Sequence, residues 1–333
     1  MMPDIMGAGD IAFPHLHLYL HNVPKQFSVF GYTITLYAII ITVGAILGVM
    51  CCERVARATG HDGEIYWDIF LPLVLISVLG ARVYYVIFAW DFYRDNPISV
   101  FYIHQGGLAI YGGVITGFLV LAVISRIRKR SYLEITDTVM FGLLVGQIIG
   151  RWGNFTNREV FGQYTDSLFA MRLPVEAVRS MDISASIAAH MSESTNYIQV
   201  HPTFLYESAW NLALLILMLL YVKRKRFDGE MILCYLGGYG LGRAIIEGIR
   251  TDQLKIPGTS LAVSQILGIL LFFFALITEL AVRSHLRKKT TAISEPETES
   301  ESRSKPDPEL DEEPDTRMES GSESRSDTTD TPE

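Results

Sequence analysis

Cysteine is scarce in this chain, with only 3 among 333 residues. Cys51 and Cys52 lie together at the end of one apolar run, and Cys234 lies in another. Three cysteines cannot all pair with one another, and their spacing does not match a metal site. The sequence therefore excludes a disulfide scaffold, and we predict neither a metal ion nor another cofactor.

Charge is unevenly distributed along the chain. No Lys or Arg precedes Lys25, which argues against a secretory signal peptide. The last 43 residues, from Thr291, hold 15 acidic and 4 basic residues and account for the net charge of −8. Residues 290–333 have few apolar side chains, so we predict a disordered acidic tail. The body carries a small positive excess, and nothing in it indicates a nucleic acid partner.

Long apolar runs distinguish this chain from soluble proteins. Hydrophobic residues make up 49% of it, and several runs reach roughly 20 residues, the length of a helix that crosses a bilayer. We predict an all-α integral membrane protein with about seven transmembrane helices. The predicted spans are residues 32–52, 67–90, 107–125, 132–150, 204–222, 230–248 and 260–282. Ser131 and Glu134 have the spacing of a capping box at the start of the fourth span, and Asp137 is predicted to stabilise the same helix end.

Lysine and arginine predict the orientation of these spans. Short cytoplasmic loops collect basic residues, and four basic clusters fall on one side of the predicted topology. The clusters are residues 54–57, 126–130, 223–226 and 283–289. We therefore place the N-terminus outside and the C-terminus in the cytoplasm, with the lipid bilayer as the surrounding partner.

Five segments follow from this topology. The connection after Arg151 has more than about 15 residues and is too long for a plain loop, so we predict a small extracytoplasmic head there. The segments are an outer interfacial piece at 1–31, spans one to four at 32–150, the head at 151–203, spans five to seven at 204–289 and the tail at 290–333.

Several charged residues lie where lipid would not tolerate them. Arg82 falls deep in the second span, and an intramembrane arginine is a functional-site hypothesis by default; alternatively, it snorkels outward or binds a helix-terminal carbonyl. Tyr239, Arg243 and Glu247 recur every four residues and share one helical face, with glycines beside them. The alternative here is an internal ion pair with the glycines as helix-packing surface. Arg250, one turn beyond, is either part of the site or an interfacial anchor.

Residues 150–162 read G-R-W-G-N-F-T-N-R-E-V-F-G and begin where the fourth apolar span is predicted to stop. Irregular polar backbone at membrane depth is tolerated only where it lines a protein cavity. Three or four arginines thus converge on the outer half of the bilayer. Guanidinium presents a planar fork of donors to phosphate oxygens, which favours an anionic lipid head group as the ligand.

These motifs resemble those of the prolipoprotein diacylglyceryl transferases, whose signature is similar to residues 150–162. Four further stretches agree with that family in order along the chain. They are residues 80–85, 105–113, 201–207 and 238–250. The resemblance extends from about residue 15 to 285 and implies a multi-pass protein of the bacterial cytoplasmic (inner) membrane.

The resemblance implies transfer of the diacylglyceryl group of phosphatidylglycerol to the lipobox cysteine in the signal peptide of a preprolipoprotein. This reaction forms a thioether, releases glycerol phosphate and begins lipoprotein maturation. The motif positions carried over are Arg151, Asn154, Glu159, Gly162, Tyr239 and Arg243. Many members have histidine where this chain has Tyr111, next to a glycine pair, and that histidine is often proposed as the base; other members have tyrosine, as here.

The chemistry of such a transfer assigns roles to these residues. The leaving phosphate gains negative charge, so Arg151 and Arg243 are expected to stabilise it. Asn154 and Tyr239 would orient the head group, and Glu159 would hold an arginine or polarise a substrate hydroxyl. The thiol proton could go to Tyr111 as phenolate, to His104, to Glu159 or to the lipid phosphate. Arg82, Gly162, Glu247 and Arg250 complete the predicted substrate-binding residues.

A membrane transporter of an anionic or lipid-like solute is the alternative function. Arginines at membrane depth and glycine-broken helices also occur in transporters. The chain shows no convincing internal repeat, and its polar residues lie on one half of the bilayer. The sequence therefore favours the enzyme.

Overall fold

The computed structural model describes residues 5–102, 106–259 and 261–294. The chain divides into two compact units. The first, Met1–Ser284, contains every strand that the described residues form. Of the second, His285–Glu333, only the helical residues 285–294 are described. Most of the predicted acidic tail therefore lies outside the described residues.

Helices dominate the part of the chain that the structure describes. α1 covers Leu36–Ala58, α2 Ile65–Phe88, α3 Trp90–Tyr93, α4 Ile110–Ile127, α5 Tyr132–Asn157, α6 Ala185–Ala188, α7 Thr203–Tyr221, α8 Glu230–Glu247 and α9 Val263–Ser294. Six of them, α1, α2, α4, α5, α7 and α9, are long and apolar enough to cross a membrane. The chain is therefore a mostly helical membrane protein.

The helix bounds differ most from the predicted spans at the C-terminal ends of α1, α5 and α9. α1 ends six residues beyond residue 52. α5 continues seven residues beyond residue 150, and α9 continues twelve beyond residue 282. The sixth predicted span coincides with α8, whose 18 residues include Glu230, Arg243 and Glu247. These three charges exclude α8 from the helices that qualify as spans by composition alone.

The start of α5 has the predicted cap. The Ser131 side chain accepts a hydrogen bond from the backbone N–H of Glu134 at 3.3 Å. The hydrogen bonds of Asp137 go to a different helix end from the one predicted. Its buried carboxylate accepts hydrogen bonds from the backbone N–H groups of Gly229 and Ile232, each at 2.9 Å. Asp137 therefore caps α8, because the first N–H groups of a helix have no partner within it.

A small antiparallel sheet forms the head. Its strands, in the order β2-β1-β5-β6, are β1 Ile11–Phe13, β2 Leu18–Leu20, β5 Met171–Pro174 and β6 Tyr197–Val200, while β3 Gln26–Val29 and β4 Tyr32–Thr35 form a separate hairpin. Ile11, Leu173 and Ile198 are buried in the head core with Phe161 and Phe204. The N-terminal segment thus supplies two of the four sheet strands, and its β3-β4 hairpin leads directly into α1.

α5 lies at the centre of the helix bundle, where it packs against α1, α4, α7 and α8. Its contact with α1 is close enough to require glycine on both sides. A Cβ added to Gly48 would lie 2.7 Å from the carbonyl oxygen of Gly142, and one added to Gly142 would lie 2.5 Å from Sγ of Cys52. Small residues at helix crossings allow such an approach of two backbones.

We expect Gly142→Ala to lower the thermal unfolding temperature in detergent, because overpacking of a close contact costs roughly 1–3 kcal/mol. Gly146→Ala, one turn later in the same helix, is the matched control, since a Cβ there meets no atom within 4 Å. This control should unfold at the wild-type temperature or slightly above it. Equal losses in both variants would contradict the assigned α1–α5 contact.

Candidate active site

The signature begins inside a helix. Residues 150–157 form the last two turns of α5, so the irregular backbone starts at Arg158 and not at Gly150, where it was predicted. Arg158 and Val160 have φ angles of 57° and 59°, a left-handed conformation that a β-branched residue rarely adopts. Because the helix continues, Arg151 and Asn154 are neighbours on one face.

The side chain of Arg158 fastens the signature to the N-terminal segment. It is 2% exposed and donates hydrogen bonds to the carbonyl oxygens of Thr156 at 3.0 Å and Val23 at 2.6 Å. A further hydrogen bond reaches the carbonyl of Gly9. Arg158 therefore holds the backbone of the N-terminal segment in place.

Glu207 of α7 lies between three arginines that come from different parts of the chain. Its Oε2 is 2.5 Å from Nη2 of Arg151 on α5. Its Oε1 is 3.4 Å from Nη1 of Arg243 on α8 and 3.2 Å from Nη1 of Arg250. The Glu207 side chain is only 4% exposed. Three guanidinium groups thus converge on one buried carboxylate, which defines the arginine cluster: Arg151, Arg243, Arg250 and Glu207.

Two further carboxylates balance the charge of the arginine cluster. Glu247 lies 2.7 Å from Nη2 of Arg243, and Asp252 accepts two hydrogen bonds from Arg250, at 3.0 and 2.8 Å. Burial would lower the pKa of Arg250, but its hydrogen bonds to Asp252 and the negative charges of Asp252, Glu207 and Glu247 together outweigh burial and raise the pKa above its ordinary value. Three cations therefore face three anions, and the site is neutral without a ligand.

The three arginines differ in how many donors they have left. Arg250 uses Nε, Nη1 and Nη2 on carboxylates. Among the described residues, Arg151 forms an ion pair only with Glu207. Its guanidinium carries five N–H donors in a planar fork, so most of them are free. Arg151 is therefore the member of the arginine cluster best placed to receive phosphate oxygens.

Gly162 lies where three segments of the site meet. Its N–H donates to the carbonyl of His201 at 2.9 Å, and it forms an isolated antiparallel bridge with Arg250. A Cβ on Gly162 would lie 2.8 Å from Cβ of His201 and 2.9 Å from the carbonyl oxygen of Ile249. The absence of a side chain at Gly162 therefore allows the signature, the start of α7 and the end of α8 to pack closely. This packing brings Glu207 and Arg250 near each other.

Glu159 bonds to asparagines and to no arginine of the described chain. Its Oε1 accepts hydrogen bonds from Nδ2 of Asn154 at 3.0 Å and from Nδ2 of Asn157 at 3.3 Å. The expectation that Glu159 holds an arginine is therefore not met, which leaves its other predicted role toward a substrate hydroxyl. Tyr37 of α1 interacts electrostatically with both Glu159 and Arg151, so it lies near both residues of the signature.

Tyr239 lies beside the arginine cluster, but the glycines of α8 serve helix packing. Tyr239 stacks on Tyr235 with ring centroids 5.5 Å apart and lines a cavity of about 10 Å³ together with Glu207 and Arg243. A Cβ on Gly242 would lie 2.2 Å from Nε1 of Trp210 in α7. The ion pair of Arg243 with Glu247 is also present, so both features of the alternative interpretation of α8 occur.

Two other predicted residues are not joined to the arginine cluster. Arg82 is buried and donates four hydrogen bonds to carbonyls of the α2–α4 connection, those of Ser99, Val100, Gly106 and Gly107. Its N–H donors thus bind backbone carbonyls, which is close to the alternative interpretation of Arg82 given above. Tyr111, in the first turn of α4, is 44% exposed and has no side-chain partner among the described residues. His104 lies outside the described residues.

Three residues that the structure places at the site were not among those predicted from the sequence: Glu207, Asp252 and Tyr37. Glu207 had a usable signal, because a glutamate in the first turns of an apolar helix is as costly as an intramembrane arginine and needs a cationic partner. Asp252 follows Arg250 by two residues and resembles any loop acid. Tyr37 looks like an interfacial aromatic residue, and only the packing of its ring against Gly153 places it beside the signature.

Comparison with known proteins identifies the family. Residues 24–280 match the model of the prolipoprotein diacylglyceryl transferase family. Proteins named phosphatidylglycerol–prolipoprotein diacylglyceryl transferase are similar to the chain. The one from Clostridium novyi is 36% identical over 268 residues, 80% of this chain and 98% of that protein. Those from Halalkalibacterium halodurans and Shouchella clausii are 38% and 39% identical, covering 74% and 72% of this chain and 81% and 83% of theirs. The chain belongs to the prolipoprotein diacylglyceryl transferase family.

Proposed function

We propose that the chain transfers the diacylglyceryl group of phosphatidylglycerol to the lipobox cysteine of preprolipoproteins. The observation that supports this most is Arg151, a guanidinium of the family signature that has free donors and is held in place by the buried Glu207. The relatives named above are transferases that act on phosphatidylglycerol and prolipoprotein. No feature of the described residues favours the transporter alternative.

The reaction replaces a carbon–oxygen bond with a carbon–sulfur bond. The cysteine thiolate attacks the carbon of the diacylglyceryl group that is bonded to the phosphate. The C–S bond forms, and the C–O bond breaks with its electron pair on the phosphate oxygen. The phosphodiester becomes a monoester and gains negative charge. Donors aimed at its oxygens therefore bind the transition state more strongly than the ground state.

Arg151 and Arg243 are the residues that we assign to this stabilisation. Glu207 fixes the orientation of both guanidinium groups before the lipid arrives, so little reorganisation is needed during the reaction. Arg250, which is saturated by Glu207 and Asp252, positions Glu207. Asn154 and Tyr239 would orient the head group, with Glu159 toward a head-group hydroxyl.

The thiol proton has three proposed acceptors: Glu159, His104 and the lipid phosphate. Glu159 has support from its position, because its Oε2 has no hydrogen-bond donor among the described residues. A phenol has an ordinary pKa of about 10 and is therefore a poor proton acceptor at neutral pH. We therefore assign Tyr111 to hydrogen-bond donation toward the substrate.

We also propose seven spans, with the N-terminus outside and the C-terminus in the cytoplasm of a bacterial cell. At roughly 1.5 Å per residue, the 18 residues of α8 reach about 27 Å, close to the hydrocarbon thickness. Each of its charges has a partner: Glu230 pairs with Arg283 at 2.7 Å, and Arg243 pairs with Glu207 and Glu247. Paired charges cost less in a membrane than isolated ones.

Single cysteines in a background without the native three test this topology. Phe30→Cys at the β3-β4 hairpin tip and Leu254→Cys after α8 change side chains that are 97% and 70% exposed. We expect an impermeant thiol reagent to label both in intact spheroplasts. Arg224→Cys, between α7 and α8, should be labelled only after lysis. Labelling of Arg224→Cys and Leu254→Cys from the same side would show that α8 does not cross.

Transfer measured with purified protein, phosphatidylglycerol and a lipobox peptide tests the function. We expect thioether formation by the wild type, and a loss of roughly 10²–10³-fold in kcat for Arg151→Ala and Arg243→Ala, the effect of removing a donor to developing negative charge. Arg128→Ala is the control, because Arg128 pairs with the exposed Asp68. Arg128 precedes the start of α5, whereas the signature lies at its end. No thioether from the wild type would overturn the proposed function.

Tyr111→Phe separates hydrogen-bond donation from proton transfer. Because Tyr111 has no partner among the described residues, we expect kcat in the same assay to fall by no more than roughly tenfold, the range of one neutral hydrogen bond. A loss of about 10³-fold or more would instead give its hydroxyl the role of acid–base catalyst.

A further inference from the structure

A second, larger cavity adjoins the signature. It has a volume of about 300 Å³ and lies between the N-terminal segment, the residues that follow α5 and the head. We call it the head cavity. The polar side chains that line it include Lys25, Gln26, Asn157, Arg158, Glu159 and Arg179. The proposed function does not use this space, although Glu159 belongs to both.

Two cations of the head cavity have donors to spare. Nζ of Lys25 donates to the carbonyl oxygen of Ala177 across the cavity at 2.8 Å, which leaves two of its three N–H donors. Nε of Arg179 donates to Asp182 at 2.8 Å, and its side chain is 58% exposed, which leaves its Nη groups without a hydrogen-bond acceptor among the described residues. Arg158, which also lines the head cavity, adds a third positive charge.

Three cations, Lys25, Arg158 and Arg179, line the head cavity together with one carboxylate, that of Glu159. Burial lowers the pKa of Lys25, the neighbouring Arg158 lowers it further, and Glu159 opposes the shift. Burial also lowers the pKa of Arg158. Bringing an anion close to Lys25 and Arg179 would offset this repulsion, as expected at a site for a phosphate group.

An acceptor lies beside these donors. Oε1 of Glu159 is occupied by Asn154 and Asn157, while Oε2 has no donor among the described residues. A ligand that suits the head cavity therefore carries an anion for Lys25 and Arg179 and hydroxyl donors for Glu159. Phosphoglycerol has both, a phosphate at one end and neighbouring hydroxyls at the other.

The head cavity and the arginine cluster lie at the two ends of the signature. Glu159 lines the head cavity, and its Oε1 accepts a hydrogen bond from Asn154, which follows Arg151 by three residues on α5. A phosphoglycerol group released at Arg151 would therefore meet a second set of cations at the other end of the signature.

We propose that the head cavity binds phosphoglycerol, with its phosphate on Lys25 and Arg179 and a hydroxyl on Oε2 of Glu159. This inference rests on the proposed function for the origin of the ligand, which is either the released glycerol phosphate or the head group still attached to the lipid. Lys25 and Arg179 are then binding residues that no signature motif contains.

Calorimetric titration of the purified full chain with sn-glycerol 1-phosphate tests the site without a thiol substrate. We expect saturable binding by the wild type and at least roughly tenfold weaker binding by Lys25→Ala and Arg179→Ala, since each removes charge-assisted hydrogen bonds. Lys25→Arg, which keeps the charge, should bind within a few-fold of the wild type. Arg128→Ala is the control, and thermal unfolding verifies that each variant is folded.

Inorganic phosphate and glycerol, titrated separately, test the two halves of the site. Each should bind more weakly than glycerol phosphate, and equal affinity for inorganic phosphate would overturn the contact with Glu159. No binding by the folded wild type, or unchanged binding in both alanine variants, would overturn the proposal. Binding without any transfer activity would instead overturn the proposed function and leave the site standing.

The same titration in bilayers distinguishes the two origins of the ligand. Protein in phosphatidylcholine nanodiscs is compared with protein in nanodiscs that contain phosphatidylglycerol. Competition by the lipid would show that its attached head group enters the head cavity. Equal affinity in both bilayers would show that the cavity takes the released product alone. Either result supports binding of phosphoglycerol.

Discussion

The site depends on one buried carboxylate between three guanidinium groups. Three arginines at the ends of membrane helices would repel one another and would each lose their hydration. Glu207 offsets both costs, since its two oxygens contact Arg151, Arg243 and Arg250 at once. Breaking such a buried network by removing one partner is costly, because the remaining charges lose their compensation. The carboxylate thereby fixes the positions of α5, α7 and the end of α8 relative to one another.

Glycine makes this convergence sterically possible. Gly242 admits the indole of Trp210 between α7 and α8, and Gly162 lets the signature, His201 and Ile249 meet. Gly240 and Gly268 bring α8 and α9 into similarly close contact. The glycines that look like a ligand surface in the sequence are therefore the means by which helices approach closely enough for their charged ends to pair.

The sequence predicts the helices well because apolar length is a local property. The cap at Ser131 was also predictable, since donor and acceptor are three residues apart. Pairings between distant residues were not. Asp137 caps a helix that begins more than ninety residues later, and Arg82 binds carbonyls of a loop whose course the sequence does not specify. Arg151 and Arg243 were predicted to act together, but Glu207 between them was missed, because a single acid in a helix start also fits a simple cap.

The hydrogen bonds of Arg158 to the N-terminal segment have a consequence for folding and membrane insertion. Its guanidinium binds the carbonyls of Gly9 and Val23, which leave the ribosome long before the signature does. Contacts of such sequence separation form late, after the loop between them has closed. Four of the apolar helices long enough to cross a membrane, α1, α2, α4 and α5, lie between the two partners, so the partners meet on one side only when each of these helices is correctly inserted. Assembly of the site therefore follows correct insertion, and a misinserted chain would lack a finished signature.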